Sequence, residues 1–373
     1  MPSVSVLRET RDNDRRVILI PSGVRVFTET GINVLVESGA GAGLDIRDGE
    51  YEQAGATIVT RDDAWRKSEL ILKWKRPSAE EWVFLERPMS IAAHFYPGES
   101  YALVQHMARH GLSAYSYEYF QASDGSFPLM TTDSEISGKL AVLIGANQLM
   151  TSQGGRGIIL TSMPHTRSPK VVVIGHGNAG GAAARLAAAL GNDVVVLGHR
   201  RESLRRFEAT VPPNIRCRLA SKQVLEEEIP SADLVIGTIL ISTYDTPAMV
   251  DDGLVCQMRP GSVIVDVTCG YGPGYLPTAE KLTRLGAPPY EVHGVWHFKD
   301  PVMPTSVHIT SAMSAAENHV HYLLNFARSV LFKNFSDETS RRGCFLDNGN
   351  IIHPHVLSDF DLIERDFRSV RHA

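Results

Sequence analysis

The stretch Lys170-Val171-Val172-Val173-Ile174-Gly175-His176-Gly177-Asn178-Ala179-Gly180 is followed by an alanine-rich run and then by Val194-Val195-Val196-Leu197-Gly198-His199-Arg200-Arg201. A β-branched run, a glycine turn, a helical run and a second β-branched run in about thirty residues are the layout of a dinucleotide-binding βαβ unit. Gly175 permits the tight turn, Gly177 lets backbone approach a pyrophosphate, and Gly180 lets the helix pack closely on the strand. Asn178 and Ala179 open that helix, whose free N–H groups and positive dipole end suit phosphate oxygens. An NAD site usually carries an acidic residue at the end of the second strand. Here Gly198 stands there, followed by His199, Arg200 and Arg201. Paired guanidiniums grip a 2′-phosphate through charge-assisted hydrogen bonds, so NADP(H) is expected in preference to NAD(H). The competing reading is that Arg200 and Arg201 merely solvate the start of the next helix.

Outward from this unit, 373 residues with 43% hydrophobic and 21% charged content describe an ordinary globular protein with room for two domains. A net charge of −5 and the lack of a basic stripe give no reason to expect a nucleic-acid partner. Cys217, Cys256, Cys269 and Cys344 lack paired or metal-type spacing and read as free thiols of a reducing compartment. The charged N-terminus does not read as a signal peptide, and no apolar run is long enough for a membrane span, so a cytoplasmic location without a membrane partner is expected. Histidines 293, 297, 308, 319 and 321 are numerous, yet none share a convincing ligand spacing, and no metal is expected.

Residues 1–130 alternate strand and helix patterns. Strands are expected at Val4–Leu7, Asn33–Glu37, Thr57–Val59, Leu70–Lys75, Ser90–His94 and Ser113–Tyr117, an alternation that implies a mainly parallel sheet covered by helices. One long helix is expected from Ser134 to about Gln153, behind Asp133-Ser134-Glu135, and a second from about Ser311 to Leu331, ahead of a polar tail. Further strands are expected at Leu234–Gly237, Val263–Val267 and Glu291–Gly294. The fold class is therefore α/β: two Rossmann-like domains with mainly parallel sheets, joined by long helices, with the active site in the interdomain cleft. The expected division is a discontinuous substrate domain, 1–133 with 305–373, around a dinucleotide-binding domain, 134–304.

Several motifs outside the βαβ unit carry a resemblance. They include Glu9-Thr10 with Asn13 and Arg16-Val17, Glu37-Ser38-Gly39-Ala40-Gly41, Leu72-Lys73-Trp74-Lys75-Arg76-Pro77, Ser134-Glu135 with Gly138-Lys139, Gln153-Gly154-Gly155-Arg156-Gly157 and Met258-Arg259-Pro260-Gly261. With these the chain resembles the alanine dehydrogenases and their relatives, the N5-(carboxyethyl)ornithine synthases and the lysine-forming saccharopine dehydrogenases. The resemblance implies that Arg16 binds the substrate carboxylate, a role that suits the rigid guanidinium fork. It implies that Lys75 binds the substrate near its carbonyl, with Lys73 a competitor for that role. An ungapped match to alanine dehydrogenases puts Tyr96 where their histidine stands. Ala92-Ala93-His94-Phe95-Tyr96, however, looks like the acid/base segment of saccharopine dehydrogenases, so His94 is chosen, with Tyr96 as a substrate-binding residue. Glu118 matches a family glutamate near the lysine, expected to hold Lys75 charged and oriented.

The same resemblance assigns Ser134 and the loops at Gly237-Thr238 and Asp266-Val267-Thr268 to the nicotinamide. The main departure is Gly270, where alanine dehydrogenases carry an aspartate. The surrounding Asp266-Val267-Thr268-Cys269 and the tail segment Phe345–Ile352 look more like the carboxyethylornithine synthases. The leading expectation is therefore NADPH-dependent reductive condensation of a pyruvate-like 2-oxo acid with an amino-acid amine. The alternatives are an amino-acid dehydrogenase using free ammonia and a non-catalytic NADPH-binding protein. The partners expected are small-molecule substrates and, by the resemblance, further copies of the chain in a homo-oligomer. Tyr271, Tyr275, Trp296 and Phe298 are candidates for the amine pocket or for the core.

Overall fold

A computed structural model of the chain describes residues 2–11, 14–239, 241–242, 247–270, 274–283, 287–335 and 337–361, with the backbone alone at 241–242 and 269–270. Asn13 and the segment 271–273, with Tyr271, lie outside the described residues. The chain divides into two compact units, Met1–Thr132 with Val307–Ala373, and Asp133–Ser306.

The first unit opens with six strands: β1 (Ser3–Val6), β2 (Asn33–Glu37), β3 (Thr57–Val59), β4 (Leu70–Lys75), β5 (Ser90–His94) and β6 (Ser113–Ser116). All of their mutual pairings are parallel. Strands buried on both faces have no polar side to alternate with, which is why they read as nearly unbroken apolar runs. Val4, Val34, Leu72 and Ala92 all belong to the apolar core under one face.

The second unit carries β7 (Lys170–Ile174), β8 (Asp193–Gly198), β9 (Ile215–Leu219), β10 (Leu234–Gly237), β11 (Ile241–Ser242), β12 (Val263–Asp266), β13 (Cys269–Gly270), β14 (Tyr290–Val292) and β15 (Val295–Lys299). Its main sheet has the order β14-β15-β12-β10-β7-β8-β9, so the order reverses at β7, the position that defines a Rossmann switch point. The strand expected at Glu291–Gly294 is instead a hairpin. His293 and Gly294, with φ of 54° and 77°, form a turn of two left-handed residues, and β15 then crosses into the sheet beside β12. The first long helix spans Thr131–Gln148. A separate 3-10 turn, Thr151–Gln153, follows it and is closed by Gly154 at φ 85°.

The chain then returns to the first unit through the helix His308–Leu331, three residues longer at its start than expected. What reads as a polar tail is structured: a short helix Glu338–Arg342, capped by the Asp337 side chain, leads into β16 (Cys344–Asp347) and β17 (Asn350–Ile351). β16 pairs antiparallel with β6 and completes the sheet order β17-β16-β6-β5-β4-β1-β2-β3, with Phe345 and Leu346 fully buried. These two side chains dock the segment despite its polar composition. Among the described residues no helix is long and apolar enough to cross a membrane.

Candidate active site

In the first unit β1, β4, β5 and β6 are neighbours, and their C-terminal ends are where parallel α/β sheets hold ligands. Arg16, on the loop after β1, is 1% exposed. Its Nε and Nη2 donate to the two carboxylate oxygens of Asp14 at 2.9 and 2.6 Å, and Nη1 donates to Ser311 Oγ at 3.0 Å. The guanidinium lies 4.4 Å from the ring centre of Trp74, itself buried. A cation whose plane is fixed in this way loses little rotamer freedom on meeting a ligand. Burial alone would raise the Asp14 carboxyl, but hydrogen bonds and charge from Arg16 hold it below the ordinary range.

Lys75 ends β4 half-buried, in register with His94 of β5, and its ammonium stands 5.5 Å from the Tyr96 ring centre. Lys73, its competitor, is fully buried in a different network: Nζ donates to Glu81 Oε1 at 2.9 Å and lies 3.6 Å from Glu9 Oε2. That cation is committed to holding carboxylates, which separates the two lysines. His94 is 2% exposed, with Nδ1 at 3.4 Å from Glu118 Oε1 and its ring edge-on to Tyr117. Glu118 thus partners His94, and the Ser116 hydroxyl on its other oxygen, rather than serving Lys75 as expected. Burial pushes the Glu118 carboxyl up, but His94 and Ser116 outweigh it and the net direction is down. Tyr96 is held at φ 45°, a left-handed conformation costly for a residue with a Cβ. A cavity of about 890 Å³ adjoins Arg16, lined among others by Arg8, Glu9, Glu37, Arg61 and His308.

The second unit presents the glycine turn. Gly175 sits at φ 108°, and a Cβ there would come within 2.9 Å of the Thr238 carbonyl oxygen. A Cβ on Gly180 would come within 2.1 Å of the Gly175 carbonyl oxygen, while one on Gly177 would meet nothing within 4 Å. The turn therefore closes behind the helix Asn178–Ala189 and stays open in front of it, which is the space a pyrophosphate needs. On the neighbouring helix, Ser134 lies one turn before Gly138, whose Cβ would fall within 2.0 Å of the Ala179 carbonyl oxygen. The Thr238 hydroxyl donates to the Ile174 carbonyl at 2.8 Å.

At the end of β8 a Cβ on Gly198 would collide with His176 Nδ1 at 2.7 Å, so the imidazole occupies the place of the usual acidic side chain. Burial first, then the charges of His199 and Arg200, lower the His176 pKa; these two residues and Arg201 are exposed. Asp266 is buried and accepts from the Tyr275 hydroxyl at 2.9 Å and the Thr268 N–H at 3.1 Å, with Lys299 Nζ at 3.3 Å and Val267 buried beside it. Of the aromatic candidates, Tyr275 is thus a buried buttress, Trp296 donates to the Gly154 carbonyl at 2.9 Å, and Phe298 packs on the core. Gly270 lies in β13, paired with β11. Among the described residues one set of metal-type donors comes together, Asp252, Cys256 and His293, all exposed.

Sequence reading had assigned no role to Asp14, Trp74 or Ser311, and had named Glu9 only as part of a motif. An acid two residues before Arg16 was the one local signal available. Ser311 reaches Arg16 across 295 residues of chain.

Residues 5–137 match the N-terminal domain model, and residues 141–354 the C-terminal domain model, of the alanine dehydrogenase/PNT family. An alanine dehydrogenase of Bacillus subtilis is 34% identical over 95% of this chain and 94% of its own length. One of Mycobacterium tuberculosis is 35% identical over 87% of each chain. A solved L-alanine dehydrogenase superposes with a TM-score of 0.86 at 32% identity, covering 96% of this chain and 99% of that one. A transhydrogenase from Sinorhizobium meliloti shares the fold, with a TM-score of 0.73 at 24% identity over 95% of this chain and 99% of its own. The chain belongs to the alanine dehydrogenase/PNT family.

Proposed function

We propose that the chain is an amino-acid dehydrogenase, an NAD(P)-dependent oxidoreductase acting on a C–N bond. In the reductive direction it would combine a small 2-oxo acid of the pyruvate class with ammonia, drawing on NADP(H) in preference to NAD(H). The observation that carries this reading is the array of Arg16, Lys75 and the His94–Glu118 pair around adjoining strand ends of one sheet. Its support from relatives is the full-length similarity to alanine dehydrogenases.

In this reading the pre-oriented Arg16 guanidinium takes the oxo-acid carboxylate, and the Lys75 ammonium donates a hydrogen bond to the carbonyl oxygen, drawing charge from its carbon. Ammonia adds to that carbon and passes one of its protons to the former carbonyl oxygen; His94 donates the second, and the oxygen leaves as water. Glu118, kept as a carboxylate, stabilises the imidazolium before that proton is given up. The resulting imine carbon needs two electrons and a proton; a bound reduced nicotinamide supplies them as hydride. Gly175, Gly177, Gly180 and the N–H groups of Asn178 and Ala179 hold the pyrophosphate, while His199, Arg200 and Arg201 meet the 2′-phosphate. Ser134, Thr238 and the Asp266–Thr268 segment border the nicotinamide.

A second reading, condensation with an amino-acid amine, is favoured by one observation: position 270 carries no side chain to hold an anion near the amine. The test is oxidation of NADPH with pyruvate and either ammonia or a panel of amino acids, with products identified by mass spectrometry. Ammonia-dependent turnover yielding alanine is expected. Turnover that requires an amino acid and yields a carboxyethyl adduct would replace the first reading with the second.

A further inference from the structure

We propose that Glu9 is a positioning residue of the oxo-acid site, holding through the Trp74 N–H both the indole beneath Arg16 and the strand end that carries Lys75. Its kinetic consequences rest on the reading of Arg16 and Lys75 as substrate groups; its structural consequences do not.

The argument starts from the sheet. β1 pairs with β4 only as far as Val6 and Leu72, and the β4–β5 ladder shifts register between Leu72 and Lys75. Trp74 therefore lies where β4 has outrun its neighbour on one side and has an irregular ladder on the other. Its buried N–H is satisfied by Glu9 Oε1 at 2.7 Å, so a side chain replaces the missing strand. Irregular strand ends of this kind commonly re-aim functional side chains. Trp74 in turn stacks on Arg16 at 4.4 Å and has the rings of His94 and His319 at 6.4 and 6.5 Å. Moving this N–H would move the Arg16 platform and the adjoining Lys75 together.

Glu9 is also set apart by its charge environment. Its side chain is 1% exposed, and Oε2 makes no hydrogen bond. The groups facing it are Lys73 on β4, Glu81 on the following turn, Asp14 on the Arg16 loop, and the Tyr117 hydroxyl. Burial pushes its carboxyl up to about 7, Lys73 opposes this, and Asp14 and Glu81 add to it. The hydrogen bond to Trp74 thus changes between neutral and charge-assisted across neutral pH.

Two measurements on the full chain test the proposal. The first is the pH dependence of Trp74 emission without substrate, taken as the difference between the wild type and Trp74→Phe. A transition near neutral pH is expected, and it should vanish in Glu9→Gln. No transition, or one that persists in Glu9→Gln and so belongs to His94 or His319, overturns the proposal. The second is steady-state kinetics with pyruvate. Glu9→Gln, which keeps an acceptor, should stay within about threefold of the wild type below neutral pH. Glu9→Leu should raise KM for pyruvate about tenfold or more through Arg16 and lower kcat as well through Lys75. An unchanged KM in Glu9→Leu also overturns it. Should no oxo acid be turned over, the proposed function fails while the emission titration still decides on Glu9; the same titration decides if Glu9→Leu does not fold.

Discussion

The second and third glycines of the turn make opposite demands, so the same substitution should do different damage at each. At Gly180 an added Cβ would sit 2.1 Å from the Gly175 carbonyl oxygen and 2.6 Å from Thr238 Oγ1, well inside van der Waals contact and largely against backbone. The helix must shift off β7, an overpacking cost of about 3 kcal/mol. For a unit of this size that is a fall in melting temperature of about 5–10 °C. At Gly177 the φ of −72° is open to any residue, and the Cβ meets nothing within 4 Å. Gly177→Ala should therefore cost less than about 1 kcal/mol, an N-cap effect alone. That methyl nevertheless projects into the space proposed for the pyrophosphate, and NADPH affinity should fall about 100-fold as the phosphates lose contact with the helix N–H groups. Thermal unfolding of the free protein and calorimetric titration with NADPH separate the two effects. Equal destabilisation by both variants, or undiminished NADPH affinity in Gly177→Ala, would refute the assignment of this turn.

Replacing Arg200 and Arg201 together with alanine should raise KM for NADPH about 10- to 100-fold and KM for NADH much less, since only one cofactor carries the 2′-phosphate. Parallel changes in steady-state kinetics would leave both arginines as surface cations. Lys73→Met should destabilise the first unit by about 3 kcal/mol, because it takes the ammonium from Glu9 and leaves Glu81 only Arg61 at 3.1 Å as a cationic partner, whereas Lys75→Met should abolish turnover with little change in melting temperature. Paired activity and unfolding measurements would show whether the two lysines divide in this way. Glu118, held below its ordinary pKa, contributes stability that is present above the unfolded carboxylate pKa and lost as pH falls through the folded one. Glu118→Gln should accordingly flatten the acid side of the melting-temperature profile, and an unaltered acid limb would place the titration elsewhere.

The parts legible in the sequence are those fixed by local geometry. Gly175 needs a left-handed φ, Gly180 needs a missing Cβ, and β2, β3, β4 and β5 fall on the expected residues because each is an apolar run ended by polar residues. β15 escaped notice because Val295–Lys299 alternates weakly and follows a two-residue turn that reads as the end of a strand. The tail was misjudged for a related reason: composition averages hid Phe345 and Leu346 among polar neighbours. Lys73 and Lys75 could not be separated by periodicity, because residues two apart in a strand share a face. What separates them is the burial of Lys73 against carboxylates at positions 9 and 81, a tertiary fact. Glu118 was placed beside Lys75 by resemblance, which does not say which side chains meet its oxygens; its described contacts are with His94 and Ser116.

Glu9 and Glu118 illustrate how one fold can give a single residue type two properties. Both are buried, and in both burial is the largest influence and acts upward. Glu118 has an imidazole nitrogen 3.4 Å from one oxygen and a hydroxyl on the other, and together they outweigh burial and lower its pKa. Glu9 has one backbone N–H, a lysine already committed to Glu81, and two further carboxylates nearby; its charged form is left poorly supported. The contrast follows from what each strand end supplies: β6 ends in a serine and faces a histidine, while β1 ends beside an irregular stretch of β4 that offers one backbone N–H and a lysine already paired with Glu81. A carboxylate kept charged beside an imidazole suits proton transfer, and one poised near neutrality suits a hold that tightens or slackens with pH.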